Sequence, residues 1–270
     1  MNLDIFIKTY PGDHQWLPYL LQSIRKYVTG FRQVVIVTDD DPGAGEEVLE
    51  ICKANDPGAH CHLGTTTSVQ KLIPENVVLP PERTAWGYQQ QKGIKMQWDQ
   101  FTDADAVFQV DSDMMFTNPV VLLDTCFWLH PSWFRSRWHN LTVRHLDSIA
   151  AWWPGIRWFS NRLDPENYYP WYNMPMMGWV ITREAVQGFQ KHVMDTYGQT
   201  PVELFMDVGK PHLSVYNTFG VYLSDFSNGH GYRFLIAGNS DNMFHFLHAN
   251  HSWSGMTEKA KAKIAEVLGT

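Results

Sequence analysis

Residues 3–9 place Ile5 and Ile7 on one side of an extended chain and Phe6 and Lys8 on the other, a period-two pattern that predicts a first β-strand. Tyr10-Pro11-Gly12-Asp13 follows, a turn by composition. Between residues 16 and 28 the apolar positions become Leu17, Leu20, Leu21, Ile24 and Val28, which is helical spacing. Residues 34–37 are a continuous β-branched run, suited to a strand buried on both faces. Thr38-Asp39-Asp40-Asp41-Pro42-Gly43 closes it, and residues 46–54 read as a second helix. Strand, helix, strand, helix in this order predicts a parallel sheet with right-handed crossovers.

Residues 56–83 contain prolines at 57, 74, 80 and 81 and are expected to be irregular. A helix over residues 84–101 then leads into a short apolar strand at 106–110. Residues 129–175 are expected to form two short helices and loops. A strand at 176–181 and a helix at 183–193 follow, while 213–223 fits helix and strand equally. A last strand at 243–248 and an amphipathic helix at 257–268 close the chain. There is no internal repeat or low-complexity stretch.

With 270 residues, 44% hydrophobic and 18% charged, the chain has the make-up of one globular domain with an ample core. The net charge of −7 argues against general attraction to nucleic acid or anionic membrane. An anionic substrate therefore needs a metal ion or a local cationic pocket. No apolar stretch approaches a membrane span, and the polar start Met1-Asn2-Leu3-Asp4 is unlike a signal peptide. Cys52, Cys61 and Cys126 have no metal-ligand spacing and leave an odd one out, as expected of reduced thiols in a cytoplasmic protein. Eight of the twelve tryptophans fall between Trp128 and Trp179, which sets that region apart from the first half.

The chemistry centres on Asp111-Ser112-Asp113 at the end of the 106–110 strand. Residues two apart in an extended chain point the same way, so the two carboxylates are expected to converge while Ser112 faces elsewhere. Two like charges held together need a shared proton or a cation. Mg²⁺ or Mn²⁺ suits them, because these ions take oxygen ligands and often bridge carboxylates to phosphates. The plainer reading of Asp-x-Asp is a polar turn after a strand. Three strand exits carry polar clusters, at residues 9–13, 38–41 and 111–113. In an open α/β sheet ligands bind at the carboxyl ends of strands, and together these exits describe a nucleotide-sized crevice.

On these residues the chain resembles the GT-A glycosyltransferases, nucleotide-sugar-dependent enzymes with an Asp-x-Asp motif. More narrowly it is similar to a bacterial branch with a Gln-Gln-x-x-Lys helix before the motif, here Gly87-Tyr88-Gln89-Gln90-Gln91-Lys92-Gly93-Ile94-Lys95. The likeness covers residues 3–120 and is patchy afterwards. It implies one α/β domain with a central, mostly parallel sheet flanked by helices and a tryptophan-rich acceptor-side insertion. Residues 1–128 would form the nucleotide-sugar-binding half, 129–256 the acceptor-side half, and 257–270 a C-terminal helix. The implied reaction is hexosyl-type transfer from a nucleotide diphosphate sugar to a carbohydrate or other hydroxyl acceptor, with Mn²⁺ or Mg²⁺.

By the same resemblance Thr9, Tyr10 and Asp13 would hold base and ribose, with Thr38 and Asp39 touching either. Lys92 and Lys95 stand three apart on one helix face, and one of them would meet the diphosphate or donor sugar; the alternative for both is ordinary surface lysine. Asp111 would contact ribose and metal, and Asp113 the metal. Enzymes of this type take a further metal ligand from a C-terminal histidine. Among His245, His248 and His251 the choice is His248, at the expected strand end, with His251 second. Trp133, Trp138, Trp152, Trp153, Trp158 and Trp171 are candidates for an acceptor cleft or, equally, for the core. Residues 172–179, Tyr-Asn-Met-Pro-Met-Met-Gly-Trp, are small enough in part to lie beside a donor sugar.

One segment departs from the pattern. Where relatives carry Ser-Glu-Tyr, with an acid towards the acceptor, this chain has Ser214-Val215-Tyr216. Asp207 and Asp225 are then the candidate catalytic bases, unless no protein base is used. Val215 also favours a second reading, a binding protein that kept the fold without the chemistry. A third, a haloacid-dehalogenase-like phosphatase, also uses two aspartates two apart. Such a motif opens its domain on the first strand, whereas here two strands precede it.

Overall fold

The computed structural model describes residues 1–55, 61–72, 86–123, 132–137, 155, 158–159, 171–172, 178–207, 210–211, 213–227, 232–236, 247–249 and 255–269. Its centre is a sheet of β1 (Leu3–Lys8), β3 (Val34–Asp39), β4 (Cys61–Thr66), β5 (Ala106–Gln109) and β10 (Trp179–Thr182). The strand order is β10-β5-β1-β3-β4. β1, β3, β4 and β5 run parallel, and β10 pairs antiparallel with β5. Every residue of β1 and β3 is buried, because these strands are interior to the sheet and covered on both faces. The short strand β2 (Val28–Thr29) pairs with β7 (Val120–Val121) at the rim.

The period-two alternation sorts side chains between two cores. On one face Leu3, Ile5, Ile7, Val34, Ile36 and Phe108 pack against α1 (Leu17–Tyr27) and α2 (Ala44–Asn55). On the other, Phe6, Val35, Val37 and Val107 meet α4 (Trp86–Lys95), α5 (Arg183–Tyr197), α6 (Pro201–Met206) and α7 (Val215–Val221). This is the helix–sheet–helix layering expected of strands buried on both sides. The closing helix α8 (Glu258–Leu268) starts at Thr257, whose side chain accepts the Ala260 N–H, and ends at Gly269 with φ 79. It packs Ala260, Ile264 and Val267 on Trp16 and Met115.

The structure departs from the sequence reading, or settles what it left open, at several elements. Residues 61–66, expected to be irregular, form β4 in full register with β3. Its half-exposed polar residues hide the strand pattern, and the prolines all lie outside it. The helix expected over 84–101 ends at Lys95 and tightens into a 3₁₀ turn at Trp98–Gln100. The 213–223 ambiguity resolves as helix, with Ser214 capping α7 and a π-turn at Tyr222–Phe226. Among the described residues of 129–175, β8 (Ser132–Arg137) and β9 (Trp171–Tyr172) are strands and 155 and 158–159 have helical backbone. β8 pairs with β11 (Arg233–Ile236), a partner about a hundred residues away that no local pattern reveals. The short helix α3 (Val69–Leu72) links β4 towards α4. β6 (Met114–Phe116) pairs antiparallel with β12 (Leu247–Ala249), the described part of the expected last strand. No helix among the described residues is long and apolar enough to cross a membrane.

Candidate active site at the carboxyl edge of the sheet

Because β1, β3 and β5 are parallel neighbours, their carboxyl ends open on one edge. That edge gathers Thr9, Tyr10 and Asp13, then Thr38 and Asp39, then Asp111 and Asp113. Tyr10 is 42% exposed and hydrogen-bonds Asp13. Burial, Asp13 and Asp113 together push its phenol up to about 12. Asp13 is buried and accepts the Ser112 hydroxyl at 3.0 Å. Thr9 is wholly buried, and its Oγ1 has no hydrogen-bond partner. Thr38 is equally buried, its Oγ1 3.3 Å from His14 Nε2, while His14 Nδ1 lies 2.7 Å from Glu47.

From sequence alone Lys8 is only the polar side of a strand. It is 3% exposed, and its ammonium donates to the Thr9 carbonyl at 2.5 Å and to Asp39 at 2.7 Å. Burial lowers its pKa, Asp39 opposes that, and the nearby Lys95 lowers it further. The sequence signal was a lone lysine at the end of an otherwise apolar strand facing an acid at the end of the next.

Asp111 and Asp113 do not stand on an extended strand. β5 ends at Gln109, and the chain turns at 111–114, with the Met114 N–H donating to the Asp111 carbonyl at 3.1 Å. It must turn there to enter β6. Ser112, expected to face elsewhere, points into the site and holds Asp13. Asp111 ion-pairs with Lys95, whose side chain is 4% exposed against 30% for Asp111. Asp111 also raises the pKa of Tyr88, after burial, to about 12. Asp113 is buried on the Tyr10 side.

α4 supplies the opposite wall, and neither of its lysines is a surface lysine. Lys92 is 2% exposed, donates to the Leu213 carbonyl at 2.9 Å and to Gln89 Oε1 at 3.2 Å, and lies 4.2 Å from the Tyr88 ring centre. Burial, and secondarily Lys95, lower its pKa to about 7. Gln90 donates to the Thr67 carbonyl, and Asp40 receives the Ser68 N–H at 2.6 Å, so the β4 exit is tied to both neighbours. Gln109 Nε2 donates to the Lys95 carbonyl at 2.6 Å and fixes the end of α4 against β5. Gly93 lets α6 approach: a Cβ there would meet the Val202 Cα at 2.5 Å.

Two carboxylates and an imidazole are the right kind of donors for a hard divalent cation, and the residues fit that group in chemistry. His248 sits on β12 opposite Met115, two residues beyond Asp113 on the paired strand. His245 and His251 lie outside the described residues. Among the described residues no three His, Cys, Asp or Glu side chains are gathered closely enough to hold a metal.

The candidate bases are placed differently. Asp207 follows α6 and is engaged by Lys210 at 2.7 Å and Gln199 at 2.9 Å. Asp225 lies in the π-turn after α7, and only its backbone is described. Val215, where the resemblance leads one to expect an acid, is 3% exposed and packed in the core. Its apolar character follows from that packing. Trp179 is buried against Tyr216 with ring centres 4.8 Å apart, and Trp158 stacks on Tyr197 at 4.9 Å, so both serve packing. Trp133 and Trp171 lie on β8 and β9, while Trp138, Trp152, Trp153 and most of 172–179 fall outside the described residues.

No protein-family model matches the sequence, and a search of curated proteins finds no match. Among solved structures, the fold is similar to galactosyltransferase LgtC, solved in complex with donor and acceptor sugar analogues. The TM-score is 0.52 at 11% identity, covering 98% of this chain and 95% of LgtC. The apo bifunctional glycosyltransferase WbbM aligns with TM-score 0.46 at 10% identity, over 87% of this chain. This chain spans only 38% of that protein's length. The expected architecture, a mostly parallel sheet flanked by helices as in GT-A glycosyltransferases, is the one the chain has.

Proposed function

We propose that this protein is a glycosyltransferase that moves a sugar from a nucleotide diphosphate sugar to an acceptor hydroxyl. The observation that carries the reading is the meeting, at one sheet edge, of the β1, β3 and β5 exits with three buried lysines of two elements. A crevice of this kind, outside the carboxyl ends of parallel strands, is where α/β sheets bind nucleotides. Tyr10 offers an exposed ring and Asp39 a charge-balanced acceptor on the side assigned to the nucleoside. Lys95, and Lys92 when protonated, bring positive charge towards the side assigned to the diphosphate, where negative charge develops as the sugar departs. LgtC was solved with donor and acceptor sugar analogues, and the same ligand classes are proposed here.

A divalent cation, Mn²⁺ or Mg²⁺, would draw protein ligands from Asp111 and Asp113, with His248, which this structure does not gather with both of them, as the proposed third; it would supply Lewis-acid stabilisation of the leaving diphosphate. Asp13, fixed by Ser112 and Tyr10, keeps the β1 exit in place beside Asp113. Asp207, already engaged by Lys210 and Gln199, is a poor match for an acceptor base.

The test is hydrolysis of a panel of nucleotide sugars with and without Mn²⁺, alongside thermal shifts with nucleoside diphosphates. Slow, metal-dependent sugar release together with stabilisation by one diphosphate is expected, since a ligand of the native state stabilises by mass action. Binding without turnover would point to the non-catalytic reading, and cleavage of phosphomonoesters to a phosphatase. No response to any nucleotide would overturn the proposal.

A further inference from the structure

Asp111, the first aspartate of the motif, already holds a cation from its own chain. The Lys95 ammonium reaches it from a nearly fully buried side chain, while the carboxylate itself remains partly exposed. The backbone that carries the lysine is held in place. The Lys95 carbonyl is tied to Gln109, and α4 is pressed onto α6 through Gly93. Lys8, on the neighbouring strand, stands close enough for the two ammoniums to repel each other. Lys8 is balanced by Asp39 and Lys95 by Asp111.

We propose that Lys95 and a divalent cation act against each other at Asp111, so that the lysine weakens capture of a bare metal ion and favours its entry with the diphosphate. The inference rests on the diphosphate reading of the crevice. A bare dication meets a carboxylate already neutralised by Lys95, and the two positive charges repel. A metal ion that arrives bound to a diphosphate brings anionic oxygens with it. Those oxygens give Lys95 a new partner as it yields Asp111. Lys95 thereby sets the order in which metal and nucleotide come to the site.

The prediction has opposite signs in two titrations, which a merely structural role would not produce. With Mn²⁺ alone, Lys95→Met binds about tenfold more tightly than the parent chain, as expected from removing one close positive charge. With a nucleoside diphosphate alone, without metal, it binds more weakly. Lys95→Arg, which keeps the charge, follows the parent in both. Lys95→Gln keeps a long polar side chain and serves where the methionine variant fails to fold. The affinities are read by calorimetry. Equal or weaker Mn²⁺ affinity in the neutral variants overturns the inference, as does a lack of Mn²⁺ binding in parent and variants alike. If the parent binds no nucleoside diphosphate, the proposed function fails while the Mn²⁺ comparison still decides the role of Lys95.

Discussion

Lys8 donates to the Asp39 carboxylate at 2.7 Å from the end of the adjacent strand, with both side chains buried. The pair joins the exits of β1 and β3 and lets an acid stand at the edge of a crevice proposed to take an anionic ligand. Lys8→Met alone leaves that carboxylate buried without its cation and is expected to cost about 3–5 kcal/mol, the usual effect of breaking a buried pair. Lys8→Met with Asp39→Leu should cost clearly less. Denaturant unfolding of the three chains decides it; single and double variants that lose the same stability would discount the pair.

Asp113→Ala is expected to abolish Mn²⁺-dependent binding of a nucleoside diphosphate while leaving the unfolding transition in place. Calorimetry with and without Mn²⁺ reads the first effect and circular dichroism the second. Metal-dependent affinity equal to the parent's would remove Asp113 from the ligand set.

Lys92 gives a pH dependence of stability. Its pKa is lowered to about 7 in the fold, chiefly by burial and then by Lys95. In the unfolded chain it returns to the ordinary lysine value of about 10.4. Between these values the unfolded chain binds the extra proton, so this group's contribution makes the fold more stable as pH rises from about 7 towards 10. Below pH 7 both states carry the proton and the burial penalty is fully present. Lys92→Met should therefore flatten the rise in stability between pH 7 and 9.5. Lys8, also lowered, leaves a residual slope of the same sign. An unchanged slope in the variant would show that Lys92 is charged in the fold.

His248 faces a different test. An imidazole binds a cation only when neutral, so metal affinity should weaken as pH falls through about 6.5, the ordinary histidine range. His248→Ala should bind Mn²⁺ more weakly and lose much of that dependence. If His251→Ala shows the loss instead, the ligand lies three residues further on. If neither variant changes, the histidines are structural.

The strand exits were legible because each is a short apolar run ended by acids or hydroxyls, a signal contained in five or six residues. Thr9, Asp13, Asp39, Asp111 and Asp113 came from it directly. What the residues alone did not disclose depends on partners far along the chain. Lys92 is buried because its ammonium reaches Leu213, 121 positions away, and a helical lysine without that partner looks like any surface lysine. β4 escaped notice because an edge strand has one lateral neighbour and tolerates polar side chains. The turn at 111–114 is not legible in the residues, because the end of β5 is set by its pairing with β10.

Ser112 carries a last consequence. The middle position of an Asp-x-Asp motif is usually written as free, yet here its hydroxyl crosses 99 positions of chain to bond Asp13. Residues 13 and 112 are therefore expected to change as a pair when this fold diverges, a hydroxyl being kept only where an acceptor faces it. The motif in this protein is better written as a three-part word, an acid after the first strand and then Asp-Ser-Asp. A search built on that word selects sequences that share the crevice as well as the two aspartates.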